Sequence, residues 1–132
     1  MNLREFFNSM KGRGVLSTAD SAGKVDSAIY SRPHVMDDGS VVFIMRERLT
    51  HKNLQENPHA TYLFIETGIG YKGLRLSLKK IREDKDEKQI SLMTRRHLSP
   101  EEDKSKGPKH LVYFEVEKIR PLIGSGEASV TL

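Results

Sequence analysis

Five consecutive apolar residues, Val41-Val42-Phe43-Ile44-Met45, constrain this chain more than any other feature. The run has the length of a strand. A strand with one face in water would alternate apolar and polar residues. An unbroken run instead predicts burial on both faces, as in the wall of a packed barrel or at a subunit interface.

The neighbouring segments fit a wall of this kind. Val15 to Ala19 reads as a strand, and Asp20-Ser21-Ala22-Gly23 reads as a turn. Val25 to Arg32 reads as a second strand, ended by Pro33, and Asp37-Asp38-Gly39-Ser40 as another turn. Ala60 to Glu66 is a further strand, followed by a turn at Gly68-Ile69-Gly70. Leu74, Leu76 and Leu78 alternate with Arg75, Ser77 and Lys79, the mark of a half-buried strand. Val112, Phe114 and Val116 alternate with Tyr113, Glu115 and Glu117 in the last. Six strands with hairpin turns in the first half predict a mostly β fold with some α, a small antiparallel barrel with helical plugs.

The helices are short. Asn2 caps a first one, with Glu5 as a capping-box partner and Leu3, Phe6, Phe7 and Met10 at helical spacing. Gly12 or Gly14 ends it. A second runs from His51 to about Glu56, with Thr50 as its N-cap and Asn57-Pro58 as its stop. Asp84 and Glu87 form another capping-box pattern and open a helix to about Arg96, with Ile90, Met93 and His97 or Leu98 inward. Ser99 to Gly107 reads as a polar loop, and Gly124 to Glu127 as a flexible tail unless a partner holds it. The five phenylalanines, Phe6, Phe7, Phe43, Phe64 and Phe114, are expected in the core.

Composition narrows the function classes. At 132 residues the chain has the size of one domain. It has no cysteine, which removes disulfides, thiolate metal sites, iron–sulfur clusters and cysteine nucleophiles. No apolar run is long enough to span a bilayer, and the N-terminus lacks a signal-peptide core, so a cytoplasmic protein is expected. The net charge of +4 comes from 22 basic residues scattered among 18 acidic ones, a mixed surface with no basic stripe for nucleic acid. No GxGxxG, Walker or GxSxG sequence is present. His34, His51, His59, His97 and His110 show no metal-ligand spacing, so no metal is expected.

Two stretches can carry chemistry. Thr50-His51-Lys52-Asn53 lies between a buried strand and a helix, where unpaired amides and the positive end of the helix dipole suit a phosphate. Lys52 would add charge, and Thr50 and Asn53 neutral donors. Spacing alone equally allows Thr50 to cap its helix while Lys52 points to water. Ala28-Ile29-Tyr30-Ser31-Arg32 mixes small, apolar and polar groups along one strand, which suits a flat ring or an ordinary barrel wall.

Together these stretches resemble the pyridoxamine 5'-phosphate oxidase-like FMN-binding split-barrel family. The resemblance runs from about Gly14 to Lys80. It is most specific at Thr50-His51-Lys52 followed by Glu56-Asn57-Pro58. It implies a six-stranded antiparallel split β-barrel with flanking helices, a homodimer with flavin at the subunit interface, and FMN as cofactor. By resemblance, Thr50, His51, Lys52 and Asn53 hold the phosphate. Ala28, Ile29, Tyr30, Ser31 and Arg32 lie along the ring and ribityl chain, and Ile44 and Met45 back the ring. Tyr71, Lys72 and Gly73 reach a flavin across the interface. Two departures stand out: the chain has no Trp, and its tail from Leu122 to Leu132 does not match the segment that holds the vitamin substrate in the pyridoxal-making oxidases. The expected function is thus a flavin-dependent oxidoreductase with no substrate assigned. A non-catalytic flavin or electron carrier and a haem-binding split barrel are the alternatives. Tyr30 and Arg32 are the polar groups expected to face a substrate.

Overall fold

A computed structural model describes residues 1–95 and 98–132. The expectations at Arg96 and His97 fall outside them. Seven strands form one antiparallel sheet: β1 (Gly12–Ala19), β2 (Val25–Ile29), β3 (His34–Val35), β4 (Val41–Arg46), β5 (His59–Glu66), β6 (Gly73–Asp84) and β7 (Lys109–Pro121). Their spatial order is β2-β1-β5-β6-β7-β4-β3. The expected count of six is corrected to seven. The added strand, β3, is only two residues long and pairs His34 with Val42 and Val35 with Val41. Two residues are too few to carry a sequence alternation.

The sheet does not close by hydrogen bonds: β2 and β3 are its outer strands. Yet β2 and β3 are consecutive in the chain, joined only by residues 30–33. Such a link spans at most about 17 Å. The sheet must therefore curl until its outer strands face each other across that link. Two register irregularities between β6 and β7, at Ser77/Leu78 and Lys80/Arg82, sharpen the local twist. The result is a barrel split along one seam.

The unbroken run behaves as its composition requires. Val41, Phe43 and Met45 enter the barrel interior with Leu16, Tyr62, Phe64, Leu76 and Phe114. Val42 faces outward into a second cluster with Leu111, Tyr113 and Ile90. Ile90 belongs to α3 (Glu87–Met93), which covers the outer face of β4 and β7. All five phenylalanines are buried. Phe6 and Phe7, from α1 (Leu3–Ser9), meet Phe64 edge-to-face at 5.8 and 5.4 Å and plug one end of the barrel.

Local boundaries differ where side-chain chemistry overrode a simple motif. Asn2 caps α1 by accepting from the Glu5 amide, as expected. Helix α2 (Leu49–Glu56) starts earlier than expected: Arg48 is its N-cap and makes no side-chain capping bond, and Thr50 lies buried in the first turn. The cap of α3 is Asp86 rather than Asp84, because its carboxylate accepts from the amides of Lys88 and Gln89, and the helix stops at Met93. The polar segment after Ser99 is no plain loop. It holds α4 (Pro100–Ser105), capped by Ser99. The residues after Gly124 to Glu127 are held by the chain itself: Leu3 donates to the Thr131 carbonyl at 2.7 Å, Ala128 donates to that of Ile119, and Val130 packs on the core.

Candidate functional site

The link at 30–33 opens onto a cavity of about 310 Å3 on the outer face of the barrel. Ile29, Ile44, Val42 and Met93 give it apolar walls. Its ionisable groups are Tyr30, Arg32, His34, Arg46, Arg95 and Lys109, with no carboxylate among the described lining residues. Arg46 and Lys109 share one carboxylate from behind, that of Asp103, at 2.7 and 2.9 Å. Arg32 and Arg95 bond to carbonyls instead. Arg32 donates to the carbonyls of Phe7 and Met10 at the end of α1, and Arg95 donates to the Arg32 carbonyl. Carbonyls carry no full charge, so among the described residues the cavity keeps a net positive charge. The cavity suits an anionic ligand with a flat apolar part.

His34 is set as a donor. Its Nε2 lies 2.7 Å from the Met93 carbonyl, which can only accept. Burial, helped by the Arg95 charge and opposed by that carbonyl, pushes its pKa below the usual histidine value. The ring is neutral at neutral pH.

Tyr30 joins this cavity to the start of α2. Its phenol is raised above the ordinary tyrosine value by burial, while a hydrogen bond with the Thr50 side chain and the Arg48 charge pull the other way. The first amide bonded inside α2 is that of Lys52, which reaches the Arg48 carbonyl at 3.0 Å. The amides of Leu49, Thr50 and His51 precede it and have no helical acceptor. An open row of donors thus sits beside the phenol that lines the cavity, with Lys52 exposed on the next residue.

Ile29, Tyr30, Ser31, Arg32 and Ile44 therefore come together as the sequence suggested. Others do not. Met45 points into the core, because β4 alternates and Ile44 takes the outward position. Ala28 is half-buried and does not line the cavity. Asn53 is buried and donates its amide to Thr18 Oγ1, so its side chain is not a free donor. The His51 ring turns away to Glu83. Tyr71, Lys72 and Gly73 lie at the β5–β6 hairpin, outside the cavity lining. Arg32 lines the cavity with its guanidinium bonded to the carbonyls of Phe7 and Met10. Sequence reasoning missed His34, Arg46, Arg95 and Lys109. Arg46 could have been found by continuing the alternation beyond Ile44. Arg95 and Lys109 arrive from distant segments and leave no local signal.

No protein-family model matches the chain, and no curated protein does. Solved structures do share its fold. An FMN-binding protein from Syntrophomonas wolfei subsp. wolfei superposes with a TM-score of 0.71 at 19% identity, over 93% of this chain and 85% of that one. An F420 reductase gives 0.62 at 16% identity, over 92% and 94%. A pyridoxamine 5'-phosphate oxidase-related FMN-binding protein from Nostoc punctiforme gives 0.54 at 11% identity, over 81% and 72%. The fold is the split barrel of the pyridoxamine 5'-phosphate oxidase-like proteins.

Proposed function

We propose that this chain is an FMN-binding flavoprotein that works as a homodimer, with a flavin-dependent oxidoreductase activity. One observation carries the reading: Tyr30 connects an apolar-walled, basic cavity to the unpaired amides of α2. A flavin mononucleotide has both halves that this arrangement can hold, a flat ring and a phosphate. The open amides of Leu49, Thr50 and His51 and the Lys52 ammonium would bind the phosphate. Ile29, Ile44 and Met93 would wall the ring, and Arg95 with Arg32 would supply positive charge at its polar edge. Bound flavin supplies hydride or single-electron transfer, and the chain binds and orients it. The structural neighbours that bind FMN support the same cofactor.

The dimer reading rests on two features. The cavity volume lies at the lower end of the range for ligand sites, as expected of half a site. Apolar side chains also remain exposed on β2 and the β5–β6 region, including Val25, Ile29, Ile65, Ile69 and Tyr71. Tyr71, Lys72 and Gly73 would then reach the partner's flavin. No helix in the described residues is long and apolar enough to cross a membrane, which fits a cytoplasmic setting. A flavin carrier with no substrate of its own would share each of these binding contacts and differ only in turnover.

The test compares FMN with riboflavin, titrated into flavin-free protein and followed by flavin fluorescence. Riboflavin lacks the phosphate. The reading expects FMN to bind at least tenfold more tightly. Equal affinities would remove the phosphate assignment, and no binding of either would remove the flavin.

A further inference from the structure

Three residues far apart in sequence meet behind α2. Glu47 lies in the corner between β4 and α2, His51 on α2 and His110 on β7. One ligand atom of each lies within 4.8 Å of the other two. His110 is buried, and its Nε2 has no hydrogen-bond partner among the described residues. Leaving a buried ring nitrogen without a partner costs stability, on the order of 1–3 kcal/mol. The nearest oppositely charged group is the Glu47 carboxylate, 3.6 Å from that nitrogen and too far for a hydrogen bond.

The second histidine is already oriented. His51 Nε2 lies 3.0 Å from Glu83 Oε2. The same carboxylate oxygen also meets Lys80 Nζ at 3.5 Å and Gln55 Nε2 at 3.4 Å. With Nε2 engaged by Glu83 and Gln55, Nδ1 is the ring nitrogen left for a ligand. A carboxylate that fixes the tautomer of a ligating imidazole is the usual outer partner at metal centres. The rings of His51 and His110 stack at 4.3 Å with 27° between their planes. Each ring thus keeps one nitrogen for a ligand, Nδ1 of His51 and Nε2 of His110.

We propose that Glu47, His51 and His110 form a site for a divalent cation of the zinc class, with Glu83 as its outer carboxylate. Two imidazoles and one carboxylate are a donor set that zinc accepts, and they leave a fourth position open. Bonds of about 2.1 Å would draw the donor atoms to roughly 3.4 Å apart and tip the rings out of their stack. Glu47 is exposed and lies on a corner between elements, so it can make that approach. The ion would tie the corner before α2 to β7. The proposal is independent of flavin binding.

The test titrates Co2+ and then Zn2+ into chelator-treated full-length protein without flavin, read by visible absorption and by thermal unfolding. The expected result is one ion per chain, a visible Co2+ band that Zn2+ abolishes, and a rise in Tm on binding. Glu47→Gln, at an exposed position, should weaken binding at least tenfold without unfolding the protein, and Glu83→Gln by about tenfold. His59→Ala, on an exposed histidine outside the cluster, should change nothing. Absence of stoichiometric uptake by the folded wild type would overturn the proposal. So would uptake that survives both Glu47→Gln and His110→Gln.

Discussion

Tyr30 stands where ring wall and phosphate cradle meet, so substitutions around it are the sharpest at the residue scale. Lys52→Ala removes an exposed cation of the cradle. It should weaken FMN binding about fivefold to thirtyfold, ~1–2 kcal/mol, in a fluorescence titration, with Tm unchanged. Gly14 acts from the opposite side. Tyr62 donates to the Tyr30 carbonyl at 3.0 Å across its bare Cα. A Cβ there would lie 1.9 Å from the Tyr62 hydroxyl and 2.6 Å from the Tyr30 carbonyl. Gly14→Ala should therefore destabilise the fold by about 1–3 kcal/mol and loosen flavin binding as well, measured by denaturant unfolding and FMN titration. Tyr30, Ser31, Ile44 and Lys52 could be picked out in the sequence because strand alternation and the helix start place them. The turning of Asn53 to Thr18 and of His51 to Glu83 could not, since both partners lie about thirty residues away in the chain.

Elements with a strong hydrophobic period were legible, and those without one were not. β1, β5 and β6 alternate, and β4 and the first half of β7 are buried on both faces, so each left an apolar pattern. β3 is too short to show a pattern, and α4 buries no residue, so its only sequence mark is the Ser99-Pro100 start. What holds α4 is electrostatic. Asp103 accepts from Arg46 and Lys109, and those bonds hold its carboxyl below the ordinary value. A depressed carboxylate contributes stability above its unfolded pKa and loses it as pH falls through the folded value. Acidifying below about pH 4 should therefore release α4 from the cavity edge. Hydrogen exchange across 100–107 should accelerate in that window, and Asp103→Asn should show the fast exchange at neutral pH already.

For the whole molecule, one topological fact organises the rest: the outer strands β2 and β3 are neighbours in sequence. The curl this forces places residues 30–33 at the seam, and the cavity opens there. The barrel was legible from six alternating or apolar segments. Its seam was not, because strand order depends on pairings such as β4 with β7, which lie more than sixty residues apart. Beyond the exposed residues 124–127, Thr131 is fixed to the start of α1 by non-local pairing of the same kind. Dimerisation belongs to this scale too. Light scattering on the purified protein should give twice the mass of the 132-residue chain, and Ile29→Lys, on the exposed apolar face, should return it to a monomer. The most direct measurement is the visible absorption spectrum of natively purified protein, with acid release of any chromophore. A bound flavin, released as FMN at one per chain, is the predicted result. A colourless protein that also takes up no added FMN would contradict it.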